Sequence, residues 1–537
     1  MKNYFLISFL ILGTAGNAFA QNRVSIKQSA DTIKDFREFK VLDSKYIDNA
    51  ALWAPFNADL KGFSEATYTS LKPLILEQNI PALQKNIAEG KLTYEKLVLF
   101  YLYRIRKFDR ENKLSLNAVI ALNPNVVAEA RQKDKEPKPL LGFSVFGMPI
   151  LLKGNINAAG MPTTAGAAAL QENRANDAFI VKQLKNNGAL ILGKANLSEW
   201  AYFFCGDCPS GYSAVGGQTL NPYGRRIFDT GGSSSGSGAA VAANFCVAAV
   251  GSETSGSILS PSSQNSVVGL KPTVGLLSRT GIIPISSTLD TPGPMTKNVI
   301  DNSIMLNAMA GYDAEDSASV NLEPVLITAL NNTSLKGKRF GAFKGLMEDS
   351  LYVEVLSKLK KEGAEIVEIE EQQIELPGFI RLLNLDMKKD LPVYLQKHAS
   401  AAISLKSVED VMEYNRKDSL KSAPYGQALF QGIVDDKGSL EDLERIKDTL
   451  STNGKLFFEG PMKKHNLDGI LSINNFHAGY AAVAKYPALT VPMGYQADGK
   501  PRGLTFIAKP FQERSLLQWA LAYEQVSKAR KLPANYN

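Results

Sequence analysis

Residues 230–245 read TGGSSSGSGAAVAANF, a Gly/Ser tract that runs without a break into a small, apolar, helix-prone segment. A Gly/Ser tract on its own is a linker, because nothing in it can build a core. A linker has no reason to feed at once into a buried helix. The tract therefore has to be a tight loop inside a folded body, and the flanking chain says which kind.

Strand-like and helix-like segments alternate along the chain. LNAVIALNP (116–124) reads as a strand stopped by Asn-Pro, and PILLK (149–153) as a short apolar strand before a Gly/Pro/Thr-rich loop. ALILGKAN (189–196) reads as a strand and LSEWAYF (197–203) as the helix after it. LDGILSI (467–473), YPALTVPMG (486–494) and PRGLTFIAK (501–509) are strand-like again. Residues 83–111 contain a long amphipathic helix with Thr93 as N-cap and Leu97, Phe100, Tyr101, Ile105 and Phe108 on one side. Residues 340–460 are more charged and more helical, and 514–531 close the chain with a helix. This alternation predicts an α/β layer fold. The 45% hydrophobic and 21% charged content of the 537 residues is that of an ordinary globular protein.

The first 20 residues, MKNYFLISFLILGTAGNAFA, read as a Sec-type signal peptide cleaved before Gln21. The alternative is an uncleaved anchor, for which the apolar run is short. The net charge of +7 is mild for this length, and no basic run is interleaved with aromatics. Nucleic acid is therefore not an expected partner. There are three cysteines. Cys246 reads as a core residue. The Cys205-Gly-Asp-Cys208 pair is compatible with a small disulfide in an exported protein, with free thiols, or with a redox or metal role.

Three chemistries compete for the Gly/Ser tract. A phosphate loop needs a Lys after the glycines, and none follows. Gly232-Ser233-Ser234-Ser235-Gly236 fits GxSxG, with Ser234 as nucleophile, but the preceding PYGRRIFDTG is a poor strand. His477, in a polar NNFH context, would have to be its base. The third reading uses a second cluster, VGSETSGSILSPSS (250–263), at the end of an apolar segment. A turn at Gly256 before Ser257 aims successive backbone N–H groups into one space, as an oxyanion hole requires. Ser257 would sit at its centre. Its base can be a lysine made neutral by burial, and Lys153 ends the apolar run PILLK.

These segments resemble the amidase signature family of serine hydrolases. The matching pieces are GMPILLKGNINAAGMPTTAG, ILGKANLSEWA, GGSSSGSGAAVAA, VGSETSGSILSPSS, VVGLKPTVGLLSRTGIIP, DTPGPM and YPALTVPMG…GKPRGLTFIAKPF, in family order over residues 83–530. SGYSAVGGQTLNPY and IIPISSTLDTPGPM are most similar to bacterial peptide amidases. The resemblance implies a central mixed β-sheet covered by helices on both faces in one large domain. It makes Ser257 the nucleophile, Ser233 the bridging serine and Lys153 the ultimate base. It places the backbone N–H groups of Thr254, Ser255, Gly256 and Ser257 in the oxyanion hole, and Gly232 and Ser234 in support. The Gly232–Ser233 peptide bond would be cis.

Four positions depart from the family pattern, one of them Thr230 before the double Gly, where Pro or Cys often stands nearby. Gly154 and Asn157 replace acids after Lys153, and Ser255 stands where Asp or Gly is usual. The implied activity is hydrolysis of peptide C-terminal amides or other small carboxamides in the periplasm or outside the cell, without metal or organic cofactor. Fatty-acid and aryl amides are alternatives, and a non-catalytic periplasmic peptide-binding protein is the reading from another class. The expected organisation is a signal peptide (1–20), an N-terminal extension (21–75) packed on the body, and an amidase domain (76–537). Within that domain lie a signature core (about 145–300) and a helical insertion (about 340–460). No stable membrane anchor is expected, and a monomer suits this organisation.

Overall fold

The computed structural model describes residues 37–537 except 111–112, 141, 322–329 and 331–332. The signal-peptide reading and the first part of the extension lie outside the described residues. Among the described residues, thirteen strands follow one another along the chain. They are β1 (Val119–Leu122), β2 (Pro149–Lys153), β3 (Leu190–Ala195), β4 (Tyr212–Ser213), β5 (Gly217–Gln218), β6 (Ala248–Glu253) and β7 (Val268–Lys271), then β8 (Thr291–Thr296), β9 (Arg339–Phe343), β10 (Glu365–Ile369), β11 (Gly469–Ile473), β12 (Ala488–Tyr495) and β13 (Pro501–Ile507). Eleven form one mixed sheet in the order β1-β3-β2-β6-β8-β7-β12-β13-β11-β9-β10, and β4 with β5 makes a separate small ribbon.

The middle of the sheet is read directly from the apolar runs. Every residue of β2, β3, β6 and β11 is buried. Continuous burial without alternation is the mark of strands covered on both faces. The covering helices include Ser235–Ala242 and Leu259–Gln264, and also Val299–Met309, Ser350–Lys361 and Glu513–Ser527. β2 runs parallel to β6, with Leu152 beside Val250, so their C-terminal ends reach the same edge.

The long amphipathic segment divides in two. Ile80–Ala88 ends before Gly90, which takes φ +71°, and Tyr94–Phe108 begins after Thr93, whose side chain accepts from Lys96 N. All five residues assigned to its apolar side are buried. The extension contributes Trp53, Phe56 and Tyr68 to the main core. Buried Arg104 ties these layers together: it donates to Ala243 O at 2.9 Å, just past the helix that follows the Gly/Ser tract, and to Tyr68 Oη and Tyr536 O.

Two expectations change. The helix expected over LSEWAYF is only a 3-10 segment, Glu199–Tyr202, inside which Trp200 and Ala201 take φ +50° and +55°. Tertiary bonds override its helical pattern: Trp200 N donates to Ala165 O, and the buried Glu199 carboxylate accepts from Ala214 N. The helical insertion is also shorter than 340–460. Its first part supplies β9 and β10 to the central sheet, and the helices run from Phe379–Lys397 to Leu440–His465. These helices pack Leu382, Met412, Phe430 and Leu443 against Trp200, Phe204 and Tyr212 in a second core.

Gly236 sits where the tract becomes helix, and a Cβ there would come within 2.4 Å of Asn196 N and 2.5 Å of Ala118 O. Gly236→Ala is therefore expected to cost about 1–3 kcal/mol in urea unfolding, since neither backbone can yield cheaply. Gly62→Ala, with nothing within 4 Å of the new methyl, is expected to stay within ~0.5 kcal/mol.

Candidate active site

Each serine of the tract has a partner. Ser235 Oγ donates to Gly231 O at 2.7 Å, and Ser237 Oγ to Val250 O at 3.2 Å. Ser234 Oγ lies 3.1 Å from Ser252 O and 3.2 Å from Ser252 N, so this hydroxyl both gives and receives a bond along β6. Ser234 N donates to Ser257 O at 3.1 Å, and Ser233 O accepts from Ser198 N at 3.0 Å. The Gly231 and Gly232 positions have no room for side chains: a Cβ would lie 2.8 Å from Pro261 Cα and 2.5 Å from Ser198 Oγ respectively. The Gly232–Ser233 peptide bond is cis, as the resemblance implies.

Lys153 ends β2 and is fully buried. Its Nζ lies 2.7 Å from Ser233 Oγ, 2.9 Å from Ser252 O and 3.0 Å from Ser252 Oγ. Burial pushes the amine down to about 7, while the nearby negative charges of Asp290 and Glu253 act in the opposite sense. A neutral amine has two hydrogens and one lone pair. The Ser252 carbonyl can only accept, so it takes one hydrogen, and the Ser252 hydroxyl takes the other. The lone pair is left facing the Ser233 hydroxyl, the geometry of a base beside its proton donor.

Ser257 follows Gly256, which takes φ +81°. The turn is held from inside by Glu253. Its Oε1 accepts from Gly256 N at 2.6 Å, and its Oε2 from Ile258 N at 2.7 Å and Leu259 N at 3.0 Å. Of the four amides assigned to an oxyanion hole, Gly256 is thus already committed. The N–H groups of Thr254, Ser255 and Ser257 have no acceptor among the described residues. Lys153 and Ser233 meet directly. Ser257 joins them through backbone, with no hydrogen bond between the Ser233 and Ser257 hydroxyls among the described residues.

The structure also disposes of the alternative elbow. Ser234 is fully buried and its hydroxyl is spent on Ser252. His477 is committed elsewhere: Nδ1 lies 2.6 Å from Ser472 Oγ, Nε2 lies 3.5 Å from Glu371, and the ring stacks on Phe343. Its carboxylate partner, unseen in the sequence, comes from a distant segment. Cys205 and Cys208 form a disulfide, with Cα atoms 5.9 Å apart, and Cys246 is free and buried.

The departures have local reasons. A Cβ on Gly154 would meet Leu197 Cδ2 at 2.9 Å and Ile120 Cδ1 at 3.0 Å, so a larger residue there requires those two side chains to shift. Asn157 donates to His398 O at 2.9 Å while its Oδ1 accepts from Tyr394 Oη at 2.7 Å, a pairing that an aspartate could only half make. Both partners belong to the helical insertion. Three residues of the site were not singled out from the sequence. Ser252 holds Lys153. Asn155 donates to Ser252 Oγ at 3.0 Å, and Asp290 accepts from Thr254 Oγ1 at 2.6 Å. A cavity of about 400 Å³ meets the site at Ser252 and Thr254 and extends along Ile282–Ser287 to Val393 and Tyr394. That is the size range of small-molecule pockets.

The family model described as Amidase matches residues 96–424. The chain belongs to the amidase family. It is a hydrolase of carbon–nitrogen bonds in amides. It is 36% identical over 487 residues to the Arabidopsis thaliana protein called "Probable amidase", covering 86% of this chain and 92% of that one. An amidase family protein from Bacillus anthracis superposes with a TM-score of 0.85 at 36% identity, over 92% of this chain and 99% of that one. The native peptide amidase from Stenotrophomonas maltophilia superposes with a TM-score of 0.80 at 37% identity, over 85% and 98%. These likenesses fix the fold as that of the amidases, one large mixed sheet flanked by helices.

Glu253→Gln would turn an amide donor toward N–H groups that now meet only acceptors. It is expected to lower the unfolding free energy by about 2–4 kcal/mol and amide turnover by at least about tenfold, read by urea titration and ammonia release. Ser255→Ala removes a hydroxyl with no partner among the described residues and is expected to stay within ~0.5 kcal/mol of the parent.

Proposed function

We propose that this amidase is exported and hydrolyses small carboxamides, peptide C-terminal amides foremost, through Lys153, Ser233 and Ser257. The observation that carries the reading is the buried Lys153 amine, with two acceptors on Ser252 and its third contact on the Ser233 hydroxyl. Neutral Lys153 takes the proton of Ser233 as Ser233 takes that of Ser257. Ser257 Oγ forms a bond to the amide carbonyl carbon, and the oxyanion faces the free N–H groups of Thr254, Ser255 and Ser257. The carbon–nitrogen bond breaks as the relay returns a proton to the leaving nitrogen. Water then attacks the acyl-enzyme by the same relay, releasing the acid and restoring Ser257.

The peptide-amide assignment draws on the likeness to the Stenotrophomonas maltophilia peptide amidase and on the cavity beside Thr254. Export draws on the leader-like sequence MKNYFLISFLILGTAGNAFA. Among the described residues, no helix is long and apolar enough to cross a membrane.

A fluorophosphonate is expected to label Ser257, and Lys153→Ala to abolish both labelling and ammonia release while the protein stays folded. Near-normal turnover in Lys153→Ala would refute the scheme. The pH dependence follows from the neutral amine. Activity is expected to be low in acid and to rise through about pH 7 as Lys153 loses its proton. The stability sign is the same: burying the charged amine costs stability below that pH, and the cost fades as pH rises toward the unfolded-state value. Ammonia release from aryl or fatty-acid amides in preference to peptide amides would redirect the substrate assignment without touching the relay.

A further inference from the structure

We propose that Asp290 is a positioning residue of this centre: it locks Thr254 to the cavity wall, and its charge supports the protonated Lys153 that the reaction passes through. The inference rests on the base role proposed for Lys153. Asp290 directly precedes β8, which pairs antiparallel with β6 and sets Thr291 opposite Glu253. Asp290 therefore falls opposite Thr254, at the first residue of the nucleophile turn.

Its carboxylate has three donors. Oδ1 accepts from Thr254 Oγ1 at 2.6 Å, and Oδ2 accepts from Ile285 N at 2.8 Å and Ser286 N at 3.0 Å. Asp290 N also donates to Ser286 O at 2.9 Å, closing the loop on itself. One side chain thus ties a turn carrying free N–H groups to the segment that walls the cavity. Shifting Thr254 would move its amide out of line with the developing oxyanion, whose donors have to be in place beforehand.

The charge has a second use. No lysine or arginine forms an ion pair with Asp290 among the described residues. The other charged groups around the cavity are largely spoken for: Arg279 is paired with Asp316, and Lys389 sits 3.4 Å from Asp390 and 3.6 Å from Asp386. Glu315, also on the cavity wall, lies at the exposed end. Glu253, on the other side of Lys153, is committed to three backbone N–H groups. The negative charges of Asp290 and Glu253 both favour the charged amine of Lys153, and the Arg279 charge in turn favours the Asp290 carboxylate. Burial raises Asp290 itself to about 6, so it is a carboxylate in the range where Lys153 has to cycle between neutral and charged forms.

The test is Asp290→Asn, assayed as the pH dependence of kcat and kcat/KM on an uncharged peptide amide, with fluorophosphonate labelling of Ser257 alongside. Asparagine has the same shape. Its Oδ1 can accept from Ile285 N and Ser286 N while its Nδ2 donates to Thr254 Oγ1, so the loop keeps its bonds. The acid limb is expected to move to lower pH by roughly half a unit or more, because a charge that favoured the ammonium form has gone. Thr254→Val keeps the charge and removes the anchor. It is expected to lower kcat by about tenfold or more with the limb where the parent has it. A purely structural Asp290 would leave the limb unmoved in Asp290→Asn, and that result overturns the inference. If Asp290→Asn does not fold, Thr254→Val decides, and an unchanged kcat there overturns it. A parent protein unlabelled at Ser257 would refute the proposed function and the inference together, whereas a labelled parent with an unmoved limb refutes the inference alone.

Discussion

A lysine amine buried among hydroxyls at the end of a strand is the constraint from which the rest of this molecule follows. A charged ammonium in that position would be expensive, and burial instead favours the neutral form. The amine survives there because Ser252 supplies two acceptors within 3.0 Å and Ser233 a third contact at 2.7 Å. That cluster exists only because β2 and β6 run side by side in parallel and end at one edge. The sheet is the device that brings residues 153 and 252 together, and the Gly/Ser tract brings residue 233 to them.

The tract's composition is explained by crowding. Its glycines lie against Pro261, Ser198 and Asn196, at distances where any side chain would collide. Three of its serines replace the hydrogen bonds that regular structure would have made: the hydroxyls of Ser234, Ser235 and Ser237 each reach a backbone group of the tract itself or of β6, while that of Ser233 meets Lys153. The result is a loop with almost no freedom, which a catalytic hydroxyl 2.7 Å from its base requires. Glu253 does the same for the second turn, collecting three N–H groups on one carboxylate. Asn157, bonded to Tyr394 and to His398 O, connects this rigid centre to the helical insertion that walls the cavity.

Much of this was legible in the sequence, for identifiable reasons. A Lys closing an apolar strand and two Gly/Ser clusters at the mouths of helices are local patterns. They pointed to Lys153 and Ser257, the family resemblance added Ser233, and the central strands followed from their unbroken apolar runs. What escaped notice depends on distant segments. Asp290 matters because antiparallel pairing of β8 with β6 sets it against Thr254. Asn155 and Ser252 look like ordinary polar residues until the sheet places them around one amine. The turn at Trp200 and Ala201 defeated a helical pattern because Glu199 and Trp200 bond to Ala214 and Ala165 instead. Likewise β9 and β10 sit in a charged stretch whose composition reads as helical, and only the pairing of β9 with β11 and of β10 with β9 reveals them as sheet.

The central claim is that Lys153 is a neutral amine at the pH where the enzyme works. The direct measurement is an NMR titration of protein carrying lysine labelled with carbon-13 at Cε, with the Lys153 signal assigned by its absence in Lys153→Met. The account predicts a resonance that titrates near pH 7, well below the range of an exposed lysine. A Lys153 signal that stays in the ammonium position through pH 9 would contradict it, because a permanently charged amine cannot take the Ser233 proton.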